Sequence, residues 1–246
     1  MRKLASFDAA IWIAVLVLVA ASAAFFATWG YPMEDAAMVF NYSEKIAAGD
    51  GVVYITGGEK VDGASDLLLT FALAGLVWLG IPVQVGAAML NGVALGVIVV
   101  LIFLSWNQPK IGRWPAITAV CLFLTTTPVL FLGASGFGTL VFAAMVAISA
   151  FLAQHTDDAS SFQSLILLGL SVALAGMNRI EGFILAGLIV LARAVGAKSL
   201  RIIAIPMGTT LAIAVAWFSW RWSYFGYPLP NSFYKKSGIY LSLIHI

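Results

Sequence analysis

Long apolar windows without a charged side chain constrain this chain more than any other feature. Residues 84–105 form one such window, and several others approach the same length. A helix needs roughly 20 apolar residues to cross a bilayer core about 30 Å thick. Hydrophobic residues make up 62% of the chain and charged residues only 10%, far from the composition of a soluble domain. Since the short alternating segments of a membrane barrel are absent, the sequence predicts an all-α, polytopic membrane helix bundle.

Seven windows are predicted to span the membrane, at about residues 9–29, 84–105, 114–133, 138–154, 163–178, 182–196 and 201–219. The shorter apolar segment Leu67–Leu79 is ambiguous. If it spans, the basic residues of the later loops lie opposite Arg2 and Lys3, against the usual cytoplasmic excess of Lys and Arg. If it lies along the outer face as a juxtamembrane helix, they share the cytoplasmic side with the N-terminus. These basic residues are Lys110, Arg113, Arg193, Lys198 and Arg201. We favour the second topology, in which residues 31–83 form the first external loop.

Charge and composition exclude several functional classes. A net charge of +2 spread over loops gives no support to a nucleic-acid partner. Cys121 lies in an apolar run and is interpreted as core filler, and His155 and His245 form no zinc-ligand cluster. The apolar run that follows Met1 is interpreted as a span rather than a secretory signal, because it is long enough to cross and further spans follow.

An acidic pair, Glu34-Asp35, stands in the polar stretch from Tyr31 to Asp66, just after the first apolar window. Two adjacent carboxylates near a membrane surface do not both ionise cheaply, which favours one of them as a general base. The alternative is structural, since acidic residues after Pro32 are also typical of a helix N-terminus.

Two further polar stretches interrupt the apolar sequence. In the first, Asn178 to Gly182, Arg179 and Glu181 either line a cavity or pair with each other in a tight turn. The second runs from Tyr224 to Lys236 and mixes aromatic residues, prolines and two lysines. An interfacial aromatic belt explains much of it, while lysines on the outer face leave room for an anionic ligand such as a phosphate.

These polar stretches, taken together and in order, resemble the GT-C membrane glycosyltransferases, in particular the branch of the terminal arabinofuranosyltransferase of actinobacterial cell walls. The blocks that carry the resemblance are Glu34-Asp35-Ala36 with Phe40-Asn41-Tyr42, Gly49-Asp50-Gly51-Val52-Val53-Tyr54, Gly58-Glu59-Lys60-Val61-Asp62-Gly63, Arg179-Ile180-Glu181-Gly182, and Tyr224-Phe225-Gly226 through Leu229-Pro230-Asn231-Ser232-Phe233-Tyr234 to Lys236. The resemblance implies that residues 1–240 form a GT-C-like transmembrane module. The chain departs from the family pattern at Gly138, where a Glu is often found.

The resemblance also implies a reaction. A sugar would pass, with inversion, from a polyprenyl-phosphate donor to a cell-envelope glycan or protein acceptor outside the bacterial inner membrane. Asp35 or Glu34 would then be the catalytic base. Arg179, Lys235 and Lys236 would be candidates to hold the donor phosphate or to stabilise charge as it leaves. The substrate-binding residues implied by the matching blocks are Tyr54, Asp62, Arg179, Glu181, Asn231, Tyr234, Lys235 and Lys236.

Several questions stay open at the level of sequence. No cofactor is required, although Glu34, Asp35, Asp62 and Asp66 could bind a divalent cation. Residues 241–246 match what one frame of a transposon-end sequencing adapter would encode, so we expect a non-native tail on a truncated chain. The alternative functions are a transporter or flippase of a lipid-linked glycan and a non-catalytic membrane accessory protein. A transporter would place charges near the bilayer midplane, often with inverted repeats, whereas the charges here lie at the ends of the predicted spans.

Overall fold

The computed structural model of the protein describes residues 33–64, 66–106, 112, 114–195, 199–227, 229–231 and 234. The regular elements of this part of the chain are all helices, which confirms the all-α prediction. In chain order they are α1 Glu34–Ala47, α2 Leu67–Trp78, α3 Val83–Trp106, α4 Trp114–Leu124, α5 Thr127–Ala134, α6 Thr139–Gln154, α7 Phe162–Asn178, α8 Glu181–Ala194 and α9 Arg201–Phe225. The predicted span at 9–29 and the tail at 241–246 lie outside the described residues, as do Lys110, Arg113, Lys198 and His245.

Two helices of the described chain are long and apolar enough to cross a membrane. They are α3, with 24 residues, and α9, with 25. At a rise of about 1.5 Å per residue they are about 36 and 38 Å long, which exceeds a hydrocarbon core of about 30 Å. Helices α2, α4, α6 and α7 are also apolar but shorter. The count of seven spans therefore stays a prediction.

The predicted span at 114–133 is wrong as a single helix, because the structure divides it into α4 and α5. Pro128 has no N–H to donate, and its ring would crowd the Leu124 carbonyl of a continuous helix. The Thr125 hydroxyl donates to the Cys121 carbonyl at 2.9 Å, and the Thr126 hydroxyl donates to the Phe123 carbonyl at 2.8 Å. The Thr125 and Thr126 N–H groups donate to the same two carbonyls, at 3.0 and 3.3 Å, so each threonine closes the end of α4 through both its backbone and its side chain.

The helix predicted at Leu67–Leu79 is present as α2, and its orientation towards a membrane stays a prediction. Helix α9 extends six residues beyond the predicted end at 219 and reaches Phe225. It ends at Gly226, whose φ of 79° is left-handed and suits a helix C-terminus. The additional turns of α9 carry Arg221 and Tyr224, and both belong to the candidate site.

The chain divides into two compact units. The first lies within Met1–Ala36 and Gln84–Ala144, and the second lies within Ala37–Val83 and Met145–Ile246. In the first unit, a buried apolar cluster joins α3 to the start of α6. Its buried members are Ala94, Leu95, Ile98, Leu140 and Ala144.

In the second unit, α7 packs against both α8 and α9. A methyl group added at Gly169 would lie 2.6 Å from the Pro206 carbonyl oxygen, so only glycine allows α7 and α9 to approach this closely. The Thr210 hydroxyl lies within 3.0 Å of the Gly169 carbonyl and within 2.9 Å of the Pro206 carbonyl. This close packing fixes α9, whose C-terminal turns carry part of the site.

Candidate functional site

The loop between α1 and α2 folds back on itself before it reaches the site. An antiparallel bridge pairs Val53 with Lys60. The Asn41 side chain of α1 donates to the Tyr54 carbonyl at 2.7 Å, and Lys45 of α1 donates to the Thr56 hydroxyl at 2.8 Å. The loop is therefore held against α1 by polar contacts along its length.

Tyr224, on the last turn of α9, anchors this loop from the other side. Its hydroxyl accepts a hydrogen bond from the Val52 N–H at 3.0 Å. Gly51 makes the approach possible, because a methyl group there would lie 2.8 Å from the Tyr224 hydroxyl. The Tyr224 ring stacks on Trp220 with centroids 5.5 Å apart and meets the edge of Phe225 at 4.8 Å. The ring is thus fixed by contacts on several sides.

A buried ion pair connects the same loop to α9. The Asp62 carboxylate binds the Arg221 guanidinium, and the two residues are only 2% and 4% exposed. Burial raises the pKa of the Asp62 carboxyl to about 6, although Arg221 acts in the opposite direction. The Asn231 N–H donates to the Asp62 carbonyl at 3.1 Å, which brings the segment after α9 to the same place.

A cleft of about 740 Å³ opens between this loop and the segment that follows α9, entirely within the second unit. Its lining mixes aromatic and aliphatic side chains with a few charged and polar ones. The lining residues are Tyr54, Ile55, Gly58, Glu59, Lys60, Val61, Asp62, Phe225, Tyr227, Leu229 and Asn231. Apolar walls with a small number of placed polar groups are typical of sites for organic ligands.

A second polar cluster lies where α7 gives way to α8. Asp66 is fully buried, and its carboxylate lies 3.3 Å from the Arg179 Nε. The fully buried Asn178 accepts a hydrogen bond from the Leu69 N–H at 3.1 Å. Both contacts tie the beginning of α2 to the helix break, so the polar stretch at Asn178 has a structural role. The sequence suggested Glu181 as a partner of Arg179, and the structure adds Asp66, a residue distant in sequence.

The cleft brings together three of the predicted substrate-binding residues, Tyr54, Asp62 and Asn231. Tyr234 contacts the cleft residue Tyr227, with ring centroids 5.9 Å apart. Arg179 lies in the second polar cluster, and Glu181 is exposed on the first turn of α8. Lys235 and Lys236 lie outside the described residues.

Glu34 and Asp35 belong to the first unit. Both side chains are exposed on the first turn of α1, which matches the helix-start interpretation of the acidic pair. Their predicted role as a catalytic base stays a prediction.

Sequence reasoning did not assign roles to Lys60, Arg221 and Tyr224. Arg221 was missed because the predicted span ended before it, at 219.

Within the described residues, no three His, Cys, Asp or Glu side chains converge as a metal site would require. The structure therefore defines an all-α protein with two helices long enough to cross a bilayer and a cleft beside the end of one of them. A scan of protein-family models, a search of curated proteins and a search of solved structures each found no match to the chain.

Proposed function

We propose that this protein is a GT-C-type membrane glycosyltransferase. It transfers a sugar from a polyprenyl-phosphate donor to a cell-envelope glycan or protein acceptor outside the bacterial inner membrane. The observation that carries the proposal is the cleft, in which residues of two separate sequence blocks, Asp62 and Asn231, lie side by side. Both blocks contribute to the resemblance to the GT-C enzymes.

The composition of the cleft supports a ligand that is partly sugar and partly lipid. Tyr54 and Tyr227 offer aromatic faces, Ile55 and Leu229 offer aliphatic surface, and Asn231 offers an amide. Aromatic faces pack against the C–H surface of a sugar ring, and amides exchange hydrogen bonds with its hydroxyl groups. A helix long enough to span a bilayer ends at this cleft, which suits a donor whose prenyl chain stays in lipid.

The proposed chemistry needs one base and a phosphate leaving group. Asp35 or Glu34 removes the proton of the acceptor hydroxyl as its oxygen bonds to the anomeric carbon. The bond from that carbon to the phosphate oxygen breaks, and polyprenyl phosphate leaves with the electron pair. One displacement inverts the anomeric carbon, and the exposed position of both acids leaves them open to an acceptor.

The test is a transfer assay with the full chain reconstituted in lipid nanodiscs. Radiolabelled polyprenyl-phosphoarabinofuranose is the first donor, and polyprenyl-phosphomannose is tested in parallel, each with arabinan and mannan acceptors. We expect label to appear in acceptor with inverted anomeric configuration. Asp35→Asn is expected to abolish transfer while donor binding is retained, and Glu34→Gln is the matched variant that separates the two acids.

The alternative functions predict different results for the same reconstituted protein. A flippase moves labelled lipid-linked glycan across the vesicle membrane without forming a new glycosidic bond. Donor turnover that survives in both Asp35→Asn and Glu34→Gln contradicts the acidic pair as base. Complete absence of sugar transfer with every donor, together with flipping of lipid-linked glycan in sealed vesicles, contradicts the proposed glycosyltransferase activity.

A further inference from the structure

Lys60 holds its positive charge over an aromatic ring at the edge of the cleft. Its ammonium lies 4.4 Å from the centroid of the Tyr224 ring, and the residue is exposed and lines the cleft. The bridge to Val53 fixes the Lys60 backbone, and the hydrogen bond from Val52 fixes Tyr224. A cation above a ring face keeps its N–H donors available for an anion on the other side.

The other described cations close to this loop already face carboxylates. Arg221 pairs with Asp62, Arg179 pairs with Asp66, and Lys45 lies 3.8 Å from Asp50. Among the described residues, Lys60 has no carboxylate within ion-pair distance. It is therefore the cation of the cleft whose charge is least compensated.

The surroundings of Lys60 favour an anion attached to an apolar group. Phe225, Ile55 and Leu229 line the same cleft, so an anion bound at Lys60 would have apolar surface beside it. Glu59 is an exposed acid of the same lining, and it opposes an anion through space. Loss of the Glu59 charge should therefore strengthen anion binding in the cleft, whereas loss of the Lys60 charge should weaken it.

We propose that Lys60, held above Tyr224, binds the phosphate of an amphipathic phosphate ester in this cleft. The identity of that ester as the sugar donor rests on the proposed function. Lys60 would thus join the residues to which the sequence assigned the phosphate, Arg179, Lys235 and Lys236. The charge of Arg179 is engaged with the buried Asp66.

The test is equilibrium binding to the purified full chain in detergent, measured by calorimetry with three probes. Farnesyl phosphate carries an anion and an apolar chain, inorganic phosphate carries only the anion, and farnesol carries only the apolar chain. We expect farnesyl phosphate to bind most tightly. Lys60→Met should weaken its binding by about ten-fold or more, as expected for the loss of a charge-assisted contact. Lys60→Arg should retain binding, and Glu59→Gln should strengthen it.

Arg201→Met is the matched control, because Arg201 is an exposed cation of the same unit at the end of α9 away from the cleft. It should change the farnesyl phosphate affinity by less than about two-fold. Equal affinity in wild type and Lys60→Met, with both folded by circular dichroism, overturns the proposal. Equal affinity for inorganic phosphate and farnesyl phosphate contradicts the proposal that the ligand is an amphipathic ester. Tight farnesol binding that does not change in Lys60→Met contradicts it too.

The transfer assay separates this inference from the proposed function. Farnesyl phosphate binding that depends on Lys60, in a chain that transfers no sugar, supports the phosphate site and contradicts the glycosyltransferase. Sugar transfer with an unchanged donor KM in Lys60→Met contradicts the phosphate site and leaves the glycosyltransferase standing.

Discussion

Asp62 and Arg221 form a buried ion pair that joins the loop after α1 to the C-terminal turns of α9. The two residues are far apart in sequence, and each is buried among residues that also line or support the cleft. A buried charge without its partner is costly, so the pair sets the position of the loop relative to the helix.

Removal of Arg221 should therefore destabilise the second unit. Arg221→Met leaves the Asp62 carboxylate buried without its partner, and we expect a loss of about 3–5 kcal/mol in the free energy of unfolding. The double variant Asp62→Asn/Arg221→Met should recover part of that loss, because it removes the uncompensated charge. Denaturant titration in detergent, followed by tryptophan fluorescence, measures the change.

Arg201→Met is the matched control, since Arg201 is an exposed arginine at the other end of the same helix. Its effect should stay within about 0.5 kcal/mol. An Arg221→Met variant as stable as this control would show that the ion pair does not hold the loop.

The raised pKa of Asp62 predicts a pH dependence of stability. The native carboxyl titrates near 6, above its ordinary value of 3.8, so the folded state binds more protons than the unfolded state between these values. The raised pKa of Asp62 therefore contributes to the free energy of unfolding. This contribution is fully present below about pH 4 and is lost as pH rises through about 6. Asp62→Asn has no proton to lose, so wild type should lose stability relative to this variant over that range.

The measurement is the difference in unfolding midpoint between wild type and Asp62→Asn at several pH values from 4 to 8. A difference that stays constant across this range contradicts a raised pKa. A difference that grows in favour of wild type as pH rises would show that Arg221 outweighs burial in setting the pKa of Asp62.

Much of the helical structure could be predicted from the sequence. The bounds of α2, α3 and α7 agree with the predicted segments to within one residue at each end, because these apolar runs are limited by polar residues or by Gly80 and Pro82. The break between α4 and α5 was missed although Pro128 marks it in the sequence, because hydropathy alone does not end the apolar window there. The end of α9 was missed because Arg221 ends a hydropathy window without ending the helix.

The site was only partly predictable. Tyr54, Asp62 and Asn231 were named from the sequence, and the cleft brings them together. The partners Arg221 and Tyr224 depend on contacts between distant segments, which neither periodicity nor spacing reveals. Distance in sequence is also why Asp66 could not be recognised as the partner of Arg179.

Asn178 acts as a distant cap for α2. The Asp66 side chain forms no capping hydrogen bond at the start of this helix, and the Asn178 side chain accepts from the buried Leu69 N–H in its place. Asn178→Ala should cost about 1–3 kcal/mol, because it leaves that N–H buried without an acceptor. Hydrogen–deuterium exchange should rise at the start of α2, and the exposed Gln163→Ala on the same helix as Asn178 should leave it unchanged. Unchanged exchange in Asn178→Ala would contradict the capping role.

Gly51 and Tyr224 should show non-additive effects when both are changed. Gly51 has a φ of 87°, and an added methyl group would meet the Tyr224 hydroxyl, so Gly51→Ala combines backbone strain with a clash. Gly57→Ala is the matched control, because its φ of 75° is similarly left-handed but no atom lies within 4 Å of the added methyl. We expect Gly51→Ala to destabilise the protein more than Gly57→Ala, by about 1 kcal/mol or more.

Tyr224→Phe removes the hydroxyl that Gly51→Ala would strike. The double variant Gly51→Ala/Tyr224→Phe should therefore be more stable than the sum of the two single changes predicts, whereas Gly57→Ala/Tyr224→Phe should be additive. Thermal unfolding of the five variants and wild type in the same detergent measures both couplings. Additivity in both pairs would mean that the Tyr224 hydroxyl does not lie against Gly51, and the anchor that holds Lys60 beside the cleft would have to be sought elsewhere in the loop.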